Sequence, residues 1–195
     1  MRLHSLVKCM LALAWVPSFF AAVVPGDDFS SITIHAFVTE ADEALVRVAA
    51  KEARRYLTLL SGRRPQLLWH GPKTERLDPG NFPVLIIATA QHPVVNTILG
   101  AISESVAASG AHVVHSNGSL AVCTGATGHA ALYAVYTLLE RCGARFYLHG
   151  DVLPDANASF ALPTDLHETL TPRFAVRGLQ PFHDFPMGPD WCALQ

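Results

Sequence analysis

The stretch from Leu120 to Asp151 constrains the fold more than any other part of the chain. Leu120 to Cys123 is a short apolar run of strand formers. A turn holding Gly125 and Gly128 hands it to a segment whose Leu132, Val135, Leu138, Leu139 and Cys142 recur three or four residues apart. That spacing is the buried stripe of a helix. Gly143 stands just past the helix end, where a left-handed residue closes the last turn, and Arg145-Phe146-Tyr147-Leu148 restarts an extended chain before Gly150 and Asp151 break it. The unit is strand, turn, helix, strand, and such units form layered α/β domains.

A glycine turn between strand and helix also serves as a phosphate cradle, with backbone amides at a helix N-terminus facing the anion. Asp151, after the next strand, stands where a ribose-binding acid would. The pattern is incomplete, however. The glycines are spaced Gly-x-x-Gly rather than G-x-G-x-x-G, and no Gly-Lys-Ser/Thr follows. The turn is read as packing a helix onto a sheet.

Upstream, Ile32, Ile34, Ala36 and Val38 alternate with Thr33, His35 and Phe37, which predicts a strand. Thr39 is the expected N-cap of the next helix, with Glu40, Asp42 and Glu43 favouring its first turn. Leu45, Val48, Ala49, Ala53, Tyr56, Leu57 and Leu60 form its stripe, Arg47, Lys51, Arg54 and Arg55 lie on or near its solvated side, and Gly62 ends it. Gln66 to Trp69 and Pro83 to Thr89 are further strands, the second continuous enough for a sheet covered on both faces. Gly71 to Asn81 is polar loop. Pro93 opens a helical repeat of Val95, Ile98, Leu99, Ile102 and Val106. Ala111 to His115 and Leu120 to Cys123 form a hairpin around Asn117-Gly118. Leu153 to Pro172, with three prolines and no helical repeat, reads as an extended linker.

Residues 1–25 read as a secretory leader: Arg2 and Lys8 supply positive charge, and Leu11 to Val24 is apolar apart from Ser18 and interrupted by Pro17. Cleavage is placed between Ala22 and Asp27. Half the residues are hydrophobic, 15% are charged and the net charge is -2, a balance that suits a folded domain and not a basic nucleic-acid binder. Cys9 leaves with the leader, so Cys123, Cys142 and Cys192 are an odd set in an oxidising compartment. Asn117-Gly118-Ser119 and Asn157-Ala158-Ser159 are glycosylation acceptors in turn-like stretches.

Two motifs carry a family resemblance. Thr124-Gly125-Ala126-Thr127-Gly128-His129-Ala130-Ala131-Leu132-Tyr133-Ala134-Val135-Tyr136-Thr137-Leu138-Leu139-Glu140 resembles the end of the small α/β domain that precedes the catalytic barrel in the β-N-acetylhexosaminidase and α-glucuronidase superfamily of glycosidases. Pro172-Arg173-Phe174-Ala175-Val176-Arg177-Gly178-Leu179 is similar to the segment that opens the first barrel strand there. The resemblance implies an α/β fold, a layered mixed β-sheet with flanking helices (hexosaminidase-like domain 2) over residues 30–152. It implies a linker over 153–172 and the first strand of a truncated (β/α)8 barrel over 173–195. Tyr133-Ala134, where hexosaminidases often place Tyr-Gly, and Leu179-Gln180-Pro181-Phe182 after the Arg-Gly lean toward the glucuronidase-like branch.

The resemblance makes Arg177 a substrate contact, because the matching Arg hydrogen-bonds sugar hydroxyls and a guanidinium holds paired oxygens such as those of a uronic carboxylate. A structural ion pair at the barrel mouth is the other role open to it. His183, Asp184 and Trp191 would line the same pocket, Trp191 against a sugar face. Glycosidases need two carboxyl groups ~5 to 9.5 Å apart; none of Asp151, Asp155, Asp165, Glu168, Asp184 and Asp190 forms a convincing pair, so no catalytic residue is assigned. Ten histidines raise the question of zinc, but His112 and His115 point to opposite faces of one strand and His167-Glu168 lacks the rest of H-E-x-x-H. No G-x-S-x-G occurs and no cysteine has a catalytic setting. The expectation is a secreted, non-catalytic front part of a glycoside hydrolase that meets its glycan through the barrel, without metal, cofactor, nucleic acid or membrane contact after leader removal. A stand-alone secreted carbohydrate- or protein-binding module is the alternative.

Overall fold

Side chains that are buried on alternate faces of the first strand show that the sheet is covered on both sides. In β1 (Thr33–Phe37), Ile34 and Ala36 face one apolar layer and Phe37 the other. The structure, a computed structural model, describes residues 32–174 apart from 76, 78–82, 101, 104–105, 108–109 and 158. The expected leader, and the expected barrel start beyond Phe174, lie outside the described residues.

β1 is followed by α1 (Glu43–Ser61), β2 (Gln66–His70), β3 (Val84–Thr89), α2 (Pro93–Leu99), β4 (His112–Ser116) and β5 (Leu120–Gly125). Then come α3 (Gly128–Arg141), β6 (Arg145–Tyr147), β7 (Gly150–Val152) and β8 (Leu166–Leu170). Six strands form one mixed sheet in the order β2-β1-β3-β5-β4-β8. β2, β1, β3 and β5 run parallel, and β4 is antiparallel to both its neighbours.

β3 and β5 are buried on both faces, as their unbroken apolar runs require, whereas β2 at the sheet edge is half-exposed. On one face Leu85, Ile87, Ala121 and Cys123 pack with Val46, Ala49, Ala53, Leu57 and Leu60 of α1 and Ala134, Val135, Leu138 and Leu139 of α3. On the other, Phe37, Val84, Ile86, Ala88 and Val122 pack with Val94 and Val95 of α2. Each Val, Leu, Ile or Phe side chain among them contributes about 1.5–3 kcal/mol by leaving water. Among the described residues no helix is long and apolar enough to cross a membrane.

Five local expectations change. Val48, read into the α1 stripe, is exposed, and Val46 is buried instead. The N-cap of α1 is Asp42, whose backbone carbonyl opens the helix; Thr39 instead accepts a turn hydrogen bond from Asp42 N at 3.2 Å. The helical repeat from Pro93 is interrupted rather than continuous: α2 stops at Leu99, where Gly100 N closes onto Asn96 O at 2.9 Å, and helical backbone resumes at Ile102, Ser103, Val106 and Ala107. The strand that begins at Arg145 ends at Tyr147, where Leu148-His149 turn the chain back, and Gly150 and Asp151 stand in β7, which pairs with β6 in a separate two-stranded ribbon. The stretch read as a linker over 153–172 contains β8, which returns to the main sheet and pairs with β4 from His112↔Leu170 to Ser116↔Leu166. Ser116 Oγ donates to Pro163 O at 2.6 Å and Leu162 is 1% exposed, so the segment is fastened before the strand begins.

Candidate functional site

The turn from β5 into α3 shows why glycine stands there. Thr127 caps α3, its side chain accepting from Ala130 N at 3.3 Å, and Asp42 Oδ1 accepts from Gly128 N at 2.8 Å. The helix N-terminus, where a phosphate would lie, already holds a carboxylate of the chain itself. A Cβ on Gly128 would stand 2.8 Å from Leu45 Cβ and 3.1 Å from Asp42 Oδ1. The glycine permits the close approach of α1 and α3.

Farther along these two helices an open groove of about 520 Å³ is lined by Glu52, Arg55, Tyr56, Tyr133, Tyr136, Glu140, Phe146 and Asp151. Helical spacing assembles two of its walls: Glu52, Arg55 and Tyr56 stand three and four apart on α1, and Tyr133, Tyr136 and Glu140 do so on α3. The β6–β7 ribbon closes the end with Phe146 and Asp151. Gly143, at φ +103, makes the reversal that brings the ribbon back over the helices, a conformation side-chain-bearing residues rarely adopt.

Three rings meet in the floor nearly at right angles. Phe146 lies 5.2 Å from Tyr56 at 84° and 4.8 Å from Tyr136 at 79°, and the two tyrosines are 6.4 Å apart at 65°. Tyr56 O–H donates to Asp151, and Tyr136 O–H donates to Glu52 at 3.1 Å. Burial, together with these carboxylates, pushes the Tyr136 phenol up to about 12 and Tyr56 higher still. Both phenols therefore keep their protons at neutral pH. Arg55 lies over the Tyr56 ring at 5.0 Å and 3.7 Å from Glu52.

The histidines gather in two places. His35 Nδ1 and His70 Nε2 are 2.9 Å apart, and Phe37 stacks on His70 at 4.5 Å and tilts against His92 at 5.1 Å. His92 accepts from Val94 N at 3.3 Å and is fully buried. Burial lowers the pKa of all three. On the other side of the sheet order, His115 and His167 face each other across β4 and β8 with their Nδ1 atoms 2.7 Å apart, while His112 points to the opposite face and meets Thr137 at 3.1 Å. Among the described residues no group of three or more His, Cys, Asp or Glu is placed to hold a metal ion.

Of the residues singled out in the sequence, Arg177, His183, Asp184 and Trp191 lie outside the described residues, as does Cys192. Cys123 and Cys142 are free thiols; Cys123 is fully buried, and burial raises both. Asn117 and Asn157 are exposed at turns, where their side-chain oxygens accept from Ser119 N at 3.1 Å and Ser159 N at 2.9 Å. The groove was not anticipated. Tyr56 reads as one more member of an apolar stripe and Asp151 as a loop acid; the available signal was an acid at the margin of each stripe beside a tyrosine, Glu52 near Tyr56 and Glu140 near Tyr136.

No known family model matches the sequence, and no curated protein matches it. Among solved structures the fold is similar to that of a family GH115 4-O-methyl-alpha-glucuronidase with specificity for decorated arabinogalactans, with a TM-score of 0.51 and 16% sequence identity. The likeness covers 73% of this chain and 18% of that one. At this identity it is a likeness of fold: the mixed α/β unit corresponds to a minor part of a longer glycosidase chain.

Proposed function

We propose that this chain supplies the non-catalytic N-terminal α/β domain of a secreted glycoside hydrolase, α-glucuronidase-like or hexosaminidase-like, whose barrel begins near Arg173. The observation that carries the reading is the fold likeness to one part of a glucuronidase, over most of this chain. The groove chemistry supports a non-catalytic role. Asp151 and Glu52 are held as acceptors for protonated phenols, which is not the arrangement of an acid and a nucleophile flanking a glycosidic bond. In this reading Arg177 binds sugar hydroxyls or a uronic carboxylate, and His183, Asp184 and Trp191 line the same pocket. Exposure of Asn117 and Asn157 suits glycosylation during secretion.

The test is to express the reading frame continued past Gln195 beside the 195-residue chain and assay aryl α-glucuronides and aryl β-N-acetylhexosaminides. Hydrolysis by the longer product, lost on Arg177→Ala and absent from the short chain, is the expected result. A stop codon directly after Gln195, or a longer product inert on both substrate classes, overturns the reading. Either result would leave the stand-alone secreted binding module as the reading to pursue.

A further inference from the structure

We infer that His115 and His167, paired across β4 and β8, form a two-nitrogen site for a divalent transition cation that takes ligands at right angles, of the copper(II) and nickel(II) kind. The two residues are direct partners in the antiparallel register, so their side chains leave the same face of the sheet. Their Nδ1 atoms stand 2.7 Å apart and their ring centroids 4.4 Å apart, with the ring planes inclined at 57°. Two nitrogens each ~2.0–2.1 Å from one cation are about 2.9 Å apart at a right angle and about 3.4 Å apart at the tetrahedral angle. The observed spacing needs a small opening to reach the first and a larger one to reach the second.

The surroundings decide which ring nitrogens carry lone pairs. His167 Nε2 lies 3.4 Å from Asp165 Oδ1, so the ring proton belongs there, facing the carboxylate. His167 Nδ1 then carries a lone pair, and His115 Nδ1–H donates to it. A histidine whose second ring nitrogen faces a carboxylate is the arrangement that orients such a ring at a metal. His115 reaches the matching state by moving its proton from Nδ1 to Nε2, so the cation replaces the shared proton and none is released. The neighbouring ionisable groups on these strands are engaged elsewhere. Glu168 is held by Arg141 of α3 at 2.7 and 3.0 Å, and His112 meets Thr137, both on the opposite face. On the next strand His115 pairs with the buried Val122, and the site opens past His167, whose side chain is 59% exposed. The chain offers two nitrogens rather than a group of three, which leaves the other positions to water or an incoming ligand. A bound cation ties the edge strand β8 to β4. The inference concerns these two strands alone, so its failure and that of the glycosidase reading are separate.

The test is calorimetric titration of the full chain with NiCl2, and separately with ZnCl2, in a buffer that does not bind metals. Nickel is the probe because the chain's thiols do not reduce it. The expected result is saturable uptake of nickel, tighter than that of zinc by about threefold or more. His167→Gln, at an exposed position, should weaken nickel binding by about tenfold or more and Asp165→Asn by about threefold. His149→Gln, in the turn of the β6–β7 ribbon, should leave it unchanged. Nickel should also raise the urea midpoint of the wild-type chain and leave that of His167→Gln where it was. Far-UV circular dichroism checks that the variants keep the fold, and Asp165→Asn, whose side chain is 91% exposed, serves if His167→Gln does not. Absence of saturable uptake, equal affinity in wild type and His167→Gln, an equal loss in His149→Gln, or zinc bound as tightly as nickel overturns the inference.

Discussion

Removing the Asp42 carboxylate tests how the two long helices are joined. Asp42 Oδ1 accepts from Gly128 N at 2.8 Å and makes no side-chain cap to its own helix, so Asp42→Ala deletes the link to α3 and leaves the α1 cap unaltered. A hydrogen bond to an ionised group contributes about 1.5–3 kcal/mol, and a negative charge at a helix N-terminus adds about 0.3–1. Asp42 is only half-buried, which keeps the total near the lower end, about 2 kcal/mol. Asp42→Asn retains an oxygen acceptor and loses the charge, at about 0.5–1 kcal/mol. For a domain of this size the Asp42→Ala loss lowers Tm by roughly 6 °C. Urea unfolding followed by far-UV circular dichroism at low and high salt reads all three proteins, and the Asn variant should approach wild type as salt screens the charge. The reasoning fails if Asp42→Ala costs less than about 0.5 kcal/mol, or if Ala and Asn are equivalent at low salt.

Other outcomes follow from the same packing. Gly128→Ala places a Cβ 2.8 Å from Leu45 Cβ; the helices must part, at about 1–3 kcal/mol by urea midpoint, and a neutral result would mean that α1 moves freely. Leu57→Ala, at a side chain with no exposure in the α1–α3 core, should cost about 2–5 kcal/mol in the same measurement. His35, His70, His92 and His115 all have lowered pKa values, chiefly through burial. Unfolded imidazoles, near the ordinary 6.5, bind protons that the folded ones refuse, so this stability is fully present above that pH and is lost as pH falls through the folded values. Urea midpoints should therefore decline on acidification below neutrality, and less steeply in His115→Ala. In a secreting eukaryotic host, Asn117→Gln and Asn157→Gln should each remove one glycosidase-sensitive mobility shift; an unchanged pattern in both would exclude glycosylation there.

Much of the fold was legible because its signals are local. The runs Ile32–Val38 and Val84–Ala88, the stripes of α1 and α3, and the Asn117-Gly118 turn each report burial or backbone geometry within a few residues. β8 escaped because Leu166-His167-Glu168-Thr169-Leu170 is an edge strand, largely solvent-facing and polar, and its pairing with β4 lies some fifty residues away. The site escaped for a similar reason. Tyr56 and Asp151 are separated by 95 positions, and nothing in either neighbourhood announces the hydrogen bond between them.

The sequence by itself determined that this is an α/β domain, where its two long helices lie and that β3 is covered on both faces. Periodicity and turn chemistry carry that information, since they depend on neighbours along the chain. Only the tertiary structure decided that Asp42 fills the α3 N-terminus, that β8 completes the sheet, that His115 meets His167, and that Glu52, Tyr56, Tyr136, Phe146 and Asp151 form one groove. Those are contacts between distant segments: β4–β8 pairing sets the histidine pair, and the side-by-side packing of α1 and α3 sets the groove. Their close approach at Gly128 and the reversal at Gly143 are the steps that bring such segments together.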